Sequence, residues 1–251
     1  MYWVTCTQPL LFPPIYMIER FARCHCVVLM QEAQFSRKAN HGWALIKTPQ
    51  GPFKIGPTLK KKNRRPIDEI EVLDPAGWAT HLDKQLHGFY KGALGYQETR
   101  ESLDRLLQSI AEARDLTLHR LNEMTIWWSL GQAGVLRRLV PSKRLVPERP
   151  LDPTQWLADL AHGAGATDYI QGVTSIQSYF QSGVFARKGM QVWGQDFDVP
   201  FYEPPDKVFD PLVSVLDPLM MCGRSWVRTV VGADAPIGSA FQTAVSMEAY
   251  A

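Results

Sequence analysis

Four short segments carry the side chains best suited to chemistry. Gln8-Pro9 with Phe12-Pro13 offers one amide, and Gln34-Phe35-Ser36-Arg37-Lys38 offers an amide and two cations. Lys60 to Arg65 places five cations in six positions, and Phe209 to Gly223 sets Ser214 and Asp217 inside an otherwise apolar run. Amide, ammonium and guanidinium groups donate hydrogen bonds to phosphate and carboxylate oxygens. Gln8, Gln34, Arg37, Lys38, Lys60 and Lys61 are therefore candidate binders of an anionic substrate, although a charge run such as 60–65 also reads as a solvated loop.

Three residues are candidates for proton chemistry. Glu32 closes an apolar strand beside Gln34 and Arg37, where it can deprotonate an incoming amine or else pair with Lys38 at the surface. His41 lies in a glycine-containing loop nearby and is either a base near neutral pH or a solvated side chain. Asp217 must be hydrogen-bonded, paired with a cation or engaged with a ligand, because an ionised carboxylate is costly to bury alone. It also precedes Pro218, and Asp-Pro is a helix-start signature that Asp210-Pro211 repeats. If one helix instead runs from 211, Ser214 and Asp217 share a face, which makes Ser214 a substrate-binding candidate. Tyr169, at the end of an internal strand, either packs or offers its hydroxyl to substrate.

Metal and cofactor signals are weak. Cys24-His25-Cys26 alternates, so on a strand both thiols cannot share a face with the imidazole, and no second pair has zinc-like spacing. No metal is expected. With neither a glycine-rich dinucleotide fingerprint nor a P-loop, no cofactor is implied.

The elements that must position these residues read as α/β. Trp3 to Thr7 is a strand, Pro9 and Pro13-Pro14 force a loop, Tyr16 to Phe21 is an apolar helix and His25 to Met30 a second strand, the outline of a βαβ unit. Trp43 to Lys47, Pro52 to Leu59 and the alternating Ile67 to Val72 read as further strands. Trp78 to Leu130 is mostly helical, with Leu103, Leu106, Leu107, Ile110, Leu118, Leu121 and Met124 on an apolar face that carries no chemistry. Beyond a proline-rich connection, Thr154 can cap a helix over Gln155 to His162, Asp168 to Gly172 is a strand, Ser175 to Arg187 a helix and Met190 to Phe197 a strand. The expected fold is a Rossmann-like, mostly parallel sheet with a helical insertion. It forms a single domain over 1–251, divided into an N-terminal α/β part (1–75), a helical insertion (76–140) and a C-terminal α/β part (141–251).

Composition bounds the rest. With 45% hydrophobic and 21% charged residues the 251-residue chain can bury a sizeable core, and its net charge of +2 gives no global case for a nucleic-acid partner. The N-terminus lacks a basic start and its apolar residues are broken by three prolines, so neither a signal peptide nor a membrane span is expected. Four cysteines in apolar surroundings suit a cytoplasmic protein with reduced thiols.

Several motifs resemble the WbqC-like proteins, a family mostly encoded in bacterial surface-polysaccharide gene clusters. The resemblance rests on Gln8-Pro9 with Phe12-Pro13, Gln34 to Arg37, Ile67 to Glu71 followed by Trp78, Gly165 to Tyr169 with Gly172, Gly189 before a strand, and above all Phe209 to Met220 with Gly223. It covers almost the whole chain. It implies a transferase that attaches an amino acid such as glycine to an amino-sugar during O-antigen biosynthesis. A more distant likeness is to bacteriophage enzymes of DNA hypermodification, which join amino acids to activated hydroxymethylpyrimidines such as hydroxymethyluracil. The expected partners are accordingly an amino acid and a phosphate-activated acceptor, either modified DNA or a nucleotide sugar. The setting is the cytoplasm, or the host cytoplasm if the protein is phage-encoded. The sequence departs from the family pattern at Gln31-Glu32, where members carry two aspartates, and at His41 to Leu45, where they carry an Asn-Arg-Asn-Arg-like stretch; both departures bear on acceptor recognition. The alternative is a non-catalytic module that binds a nucleotide sugar or nucleic acid.

Overall fold

The computed structural model describes residues 1–60, 64–172, 181–238 and 244–246. Its centre is a six-stranded sheet in the order β10-β9-β8-β1-β2-β7. The strands are β1 (Trp3–Thr7), β2 (Cys26–Leu29), β7 (Arg138–Pro141), β8 (Asp168–Gly172), β9 (Gln191–Gln195) and β10 (Ala244–Ser246). All neighbours pair in parallel except β10, which runs antiparallel to β9.

The residues of β1 and β2 are buried throughout. Such near-continuous apolar runs are what strands covered on both faces require. Alternate residues serve opposite faces. Trp3, Val27, Leu29 and Ile170 pack in one core, whereas Val4, Cys26, Val28 and Tyr169 pack in another. Cys24 and Cys26 fall into these different cores.

Helix α1 (Ile15–Ala22) links β1 to β2 and covers the first face. The same face receives the insertion helices α2 (Pro75–Tyr90), α3 (Leu94–Ala111) and α4 (Leu118–Gln132), together with α7 (Leu216–Cys222) and α8 (Arg224–Val230). The second face is covered by α5 (Pro153–Gly163) and α6 (Ser182–Ala186). The α3–α7 contact is close enough that a Cβ at Gly95 would collide with the Leu219 carbonyl oxygen. The fold is thus α/β, with five parallel strands, a helical insertion between β6 (Glu71–Leu73) and β7, and no helix among the described residues long and apolar enough to cross a membrane.

Several local expectations change. The stretch 52–59 is not one strand: β4 (Gly51–Ile55) forms a hairpin with β3 (Ala44–Thr48), and β5 (Thr58–Lys60) pairs with β6 in a separate ribbon. Of the strand expected over Ile67 to Val72, Glu71 and Val72 belong to β6, whereas Ile67–Glu69, following Pro66, is a 3₁₀ turn, with Ile67 and Ile70 both buried at a spacing of three. The cap of α5 is Asp152, whose Oδ1 accepts the Gln155 N–H at 2.7 Å, with Pro153 at the first helical position. Of the helix expected over 175–187, residues 175–180 lie outside the described residues. β7 was not expected: it lies just before the proline-rich connection, with Pro141 at its last position.

Candidate functional site

A cavity of about 910 Å³ opens at the C-terminal ends of the parallel strands. The strand order reverses there: β1 leads outward to β2 and β7 on one side, while β8 and β9 lie on the other. Loops leaving β1 and β8 diverge at such a switch point and leave a crevice, the usual ligand site of open α/β sheets. Gln8 follows β1, Gln171 and Gly172 end β8, and Gln195 and Asp196 end β9; all line the cavity. Pro14, Tyr16 and Met17, at the start of α1, do so too, and bring the positive end of a helix dipole to the site.

Arg20 lies on the cavity floor with only 9% of its surface exposed. Its Nε donates to Gln195 Oε1 at 2.7 Å, and burial pulls its pKa down. Even so, an arginine stays charged. Gly172 makes room here: a Cβ would sit 2.7 Å from Arg20 Nη2, so the guanidinium rests against the strand end in space that a side chain would otherwise take. A second cation, Arg149, reaches the cavity from the segment before α5 and stacks 4.5 Å over the Trp156 ring. Asp196 is the one carboxylate among the described lining residues.

The loops after β1 and β2 do meet. His41 is fully buried; its Nε2 lies 2.6 Å from Gln8 Oε1 and its Nδ1 accepts the Ser36 N–H at 3.1 Å. Burial takes its pKa down to about 4, so it is neutral at physiological pH and is not the solvated loop residue of the alternative reading. Asn122 of α4 clamps both loops, donating to Pro9 O at 2.9 Å and to His41 O at 2.8 Å.

Asp217 lies elsewhere, wholly buried between α7, α2 and β3. Its Oδ1 accepts the Lys47 backbone N–H at 2.8 Å and the Tyr90 hydroxyl, and its Oδ2 accepts the Tyr202 hydroxyl at 2.5 Å. Burial raises its pKa while these donors oppose the rise. It is not a helix cap. The N-terminus of α7 is held by Ser214, whose Oγ accepts the Leu216 N–H at 3.1 Å, and no helix starts at 211 because Asp210 closes a turn onto the Leu212 N–H at 2.8 Å. Neither Ser214 nor Asp217 lines the cavity.

Glu32 accepts from the Ser142 hydroxyl at the end of β7, and is outside the cavity lining. Gln34 bridges to Pro66, Arg37 and Lys38 are exposed, and Lys60 pairs with Glu71 at 2.8 Å across the β5–β6 ribbon; none of the four lines the cavity. Lys61 lies outside the described residues. Tyr169 is fully buried and its hydroxyl donates to Gln171 Oε1 at 2.8 Å, one step behind the cavity wall.

Of the residues singled out from the sequence, Gln8 lines the cavity; Arg20, Arg149, Gln171, Gln195 and Asp196 line it as well and were not among them. One signal was present: Glu19-Arg20 is a charged pair on an otherwise apolar helix, and such a pair must find partners when buried. No curated protein matches the chain. The model of the WbqC-like protein family matches residues 8–229.

Proposed function

The chain belongs to the WbqC-like protein family, and on that premise we propose that it is a transferase joining an amino acid, such as glycine, through its amine to a phosphate-activated acceptor bound in the switch-point cavity. The observation that carries this reading is the Arg20 guanidinium on the cavity floor, charged, nine-tenths buried and held by Gln195. Planar guanidinium groups match phosphate oxygens, and a donor already in place stabilises charge on a departing phosphate without reorganisation. The volume of about 910 Å³ lies in the range of small-molecule and cofactor sites.

In this reaction the amine nitrogen attacks the acceptor carbon that bears the phosphate. A C–N bond forms, the C–O bond breaks, and the phosphate or pyrophosphate leaves with the electron pair toward Arg20 and Arg149. The proton lost by the amine passes to Asp196, the carboxylate on the cavity wall. Both acceptor classes, a nucleotide-linked sugar and a pyrophosphorylated hydroxymethylpyrimidine in DNA, present a carbon of this kind.

The test is incubation of the protein with labelled glycine and each acceptor in turn. Transfer to one of them that is lost in Asp196→Asn, with acceptor binding retained, supports the proposal. Binding of an acceptor without transfer to either would favour the binding module instead.

A further inference from the structure

His41 has no route to substrate, since it is fully buried and absent from the cavity wall. Its two hydrogen bonds nevertheless fix its chemistry. The Ser36 backbone N–H is only a donor, so the Nδ1 that accepts it at 3.1 Å carries no proton. The ring proton of the neutral imidazole therefore sits on Nε2. An N–H at that position must face an acceptor, and the atom it meets, at 2.6 Å, belongs to the Gln8 side chain. The oxygen of that carboxamide is thereby tied to His41, and its NH₂ is turned the other way. Gln8 is exposed and lines the cavity, so the NH₂ is the part available to a ligand.

The surroundings keep this arrangement in place. Asn122 holds the carbonyls of both Pro9 and His41, which fixes the Gln8 loop relative to the imidazole. The parallel register Val4↔Tyr169 brings the end of β1 beside that of β8, where the Arg20 guanidinium rests against Gly172. Gln8 and Arg20 are donors on the same cavity.

We propose that His41 is a positioning residue which, as the Nε2–H tautomer, locks the Gln8 carboxamide with its NH₂ toward the cavity, making Gln8 and Arg20 the paired donors of a subsite for a phosphate oxygen. This assignment rests on the reading of the cavity as a phosphate site and deepens it. It gives His41 a role other than proton transfer: the imidazole works by staying neutral and never touching substrate.

The experiment measures binding of inorganic pyrophosphate by calorimetry to the wild-type chain and to His41→Leu, His41→Gln and Gln8→Glu, each first shown to be folded by circular dichroism. Alongside, long-range ¹H–¹⁵N spectra of the wild type report the His41 tautomer. The expected results are an Nε2-protonated neutral ring and a loss of about tenfold or more in His41→Leu, the scale of one hydrogen bond to a charged group. Recovery is expected in His41→Gln, whose amide N–H can replace Nε2–H, and no binding in Gln8→Glu, which keeps the His41 bond but turns a carboxylate oxygen to the cavity. An Nδ1-protonated ring, or wild-type affinity in either His41→Leu or Gln8→Glu, overturns the proposal while leaving the phosphate site standing. No pyrophosphate binding by the wild type removes both.

Discussion

Arg20 and Gln195 form a hydrogen bond whose polarity is forced. Gln195 Nε2 is committed to the Tyr16 carbonyl at 2.8 Å and to the Glu19 carboxylate, both acceptors, so Gln195 Oε1 must face the Arg20 Nε that it meets at 2.7 Å. The two terminal nitrogens of Arg20 make no hydrogen bond within the described residues; Arg20 lines the cavity, and its Nη2 lies against Gly172. Replacing Arg20 with Met should abolish pyrophosphate binding. Arg20→Lys should retain part of it, because the charge stays and the fork geometry is lost. Equal affinities for Lys and Arg would show that the planar fork is not used.

Gly172→Ala separates site from fold. The new Cβ would stand 2.7 Å from Arg20 Nη2, the far end of a flexible side chain, so the guanidinium can swing aside with little cost to folding. The expected outcome is an unchanged melting temperature within a few degrees and at least tenfold weaker pyrophosphate binding. Undiminished binding would mean that the guanidinium position against Gly172 is immaterial.

Asp217 should prove structural. Its removal in Asp217→Ala leaves the Tyr90 and Tyr202 hydroxyls and the Lys47 N–H without their acceptor, at a cost of about 3 kcal/mol or more by urea unfolding. Activity per folded molecule should be intact. Asp217→Asn keeps one acceptor oxygen and should cost roughly half as much. A folded but inactive Asn variant would restore the catalytic reading.

The pH dependence of stability should carry the signature of His41. Its folded pKa of about 4 lies below the ordinary value of 6.5, so the unfolded chain takes up the proton first as pH falls. The stabilisation is fully present above pH 6.5 and is lost as pH drops through the folded value, a change of about 3 kcal/mol in total. His41→Gln should flatten this part of the curve. If the variant shows the same slope between pH 6.5 and 4, another group is responsible.

Glu32→Gln tests the remaining carboxylate near the second loop. Glu32 is held by the Ser142 hydroxyl and lies outside the cavity lining. The substitution should lower stability by about 1 kcal/mol and leave amino-acid transfer within twofold of wild type. A loss comparable to that of Asp196→Asn would return Glu32 to the reaction.

The main elements were legible wherever local pattern and burial agree. β1 and β8 lie where alternation and apolar runs place them, and the leucines of α3 and α4 fall on the buried face that their spacing predicts. Elements whose identity depends on a distant partner were not. β7 exists because β2 pairs with it through Cys26↔Arg138 and its neighbours, and nothing within Arg138–Pro141 announces that edge.

The sequence by itself determined the α/β class, the family, and the fact that the carboxylate of Asp217 had to be satisfied, because composition, order of motifs and the cost of burying charge are properties of the chain. Only the tertiary structure decided which polar groups converge. Arg20, Gln195 and Gly172 are separated by 23 to 175 residues and meet at one crevice, while the cationic Lys60 ends in a ribbon paired with Glu71. The physical reason is that a donor's partner is set by parallel register and loop divergence at the switch point, which join residues remote in sequence. The same charge can therefore read alike in two segments and yet line the cavity from only one of them.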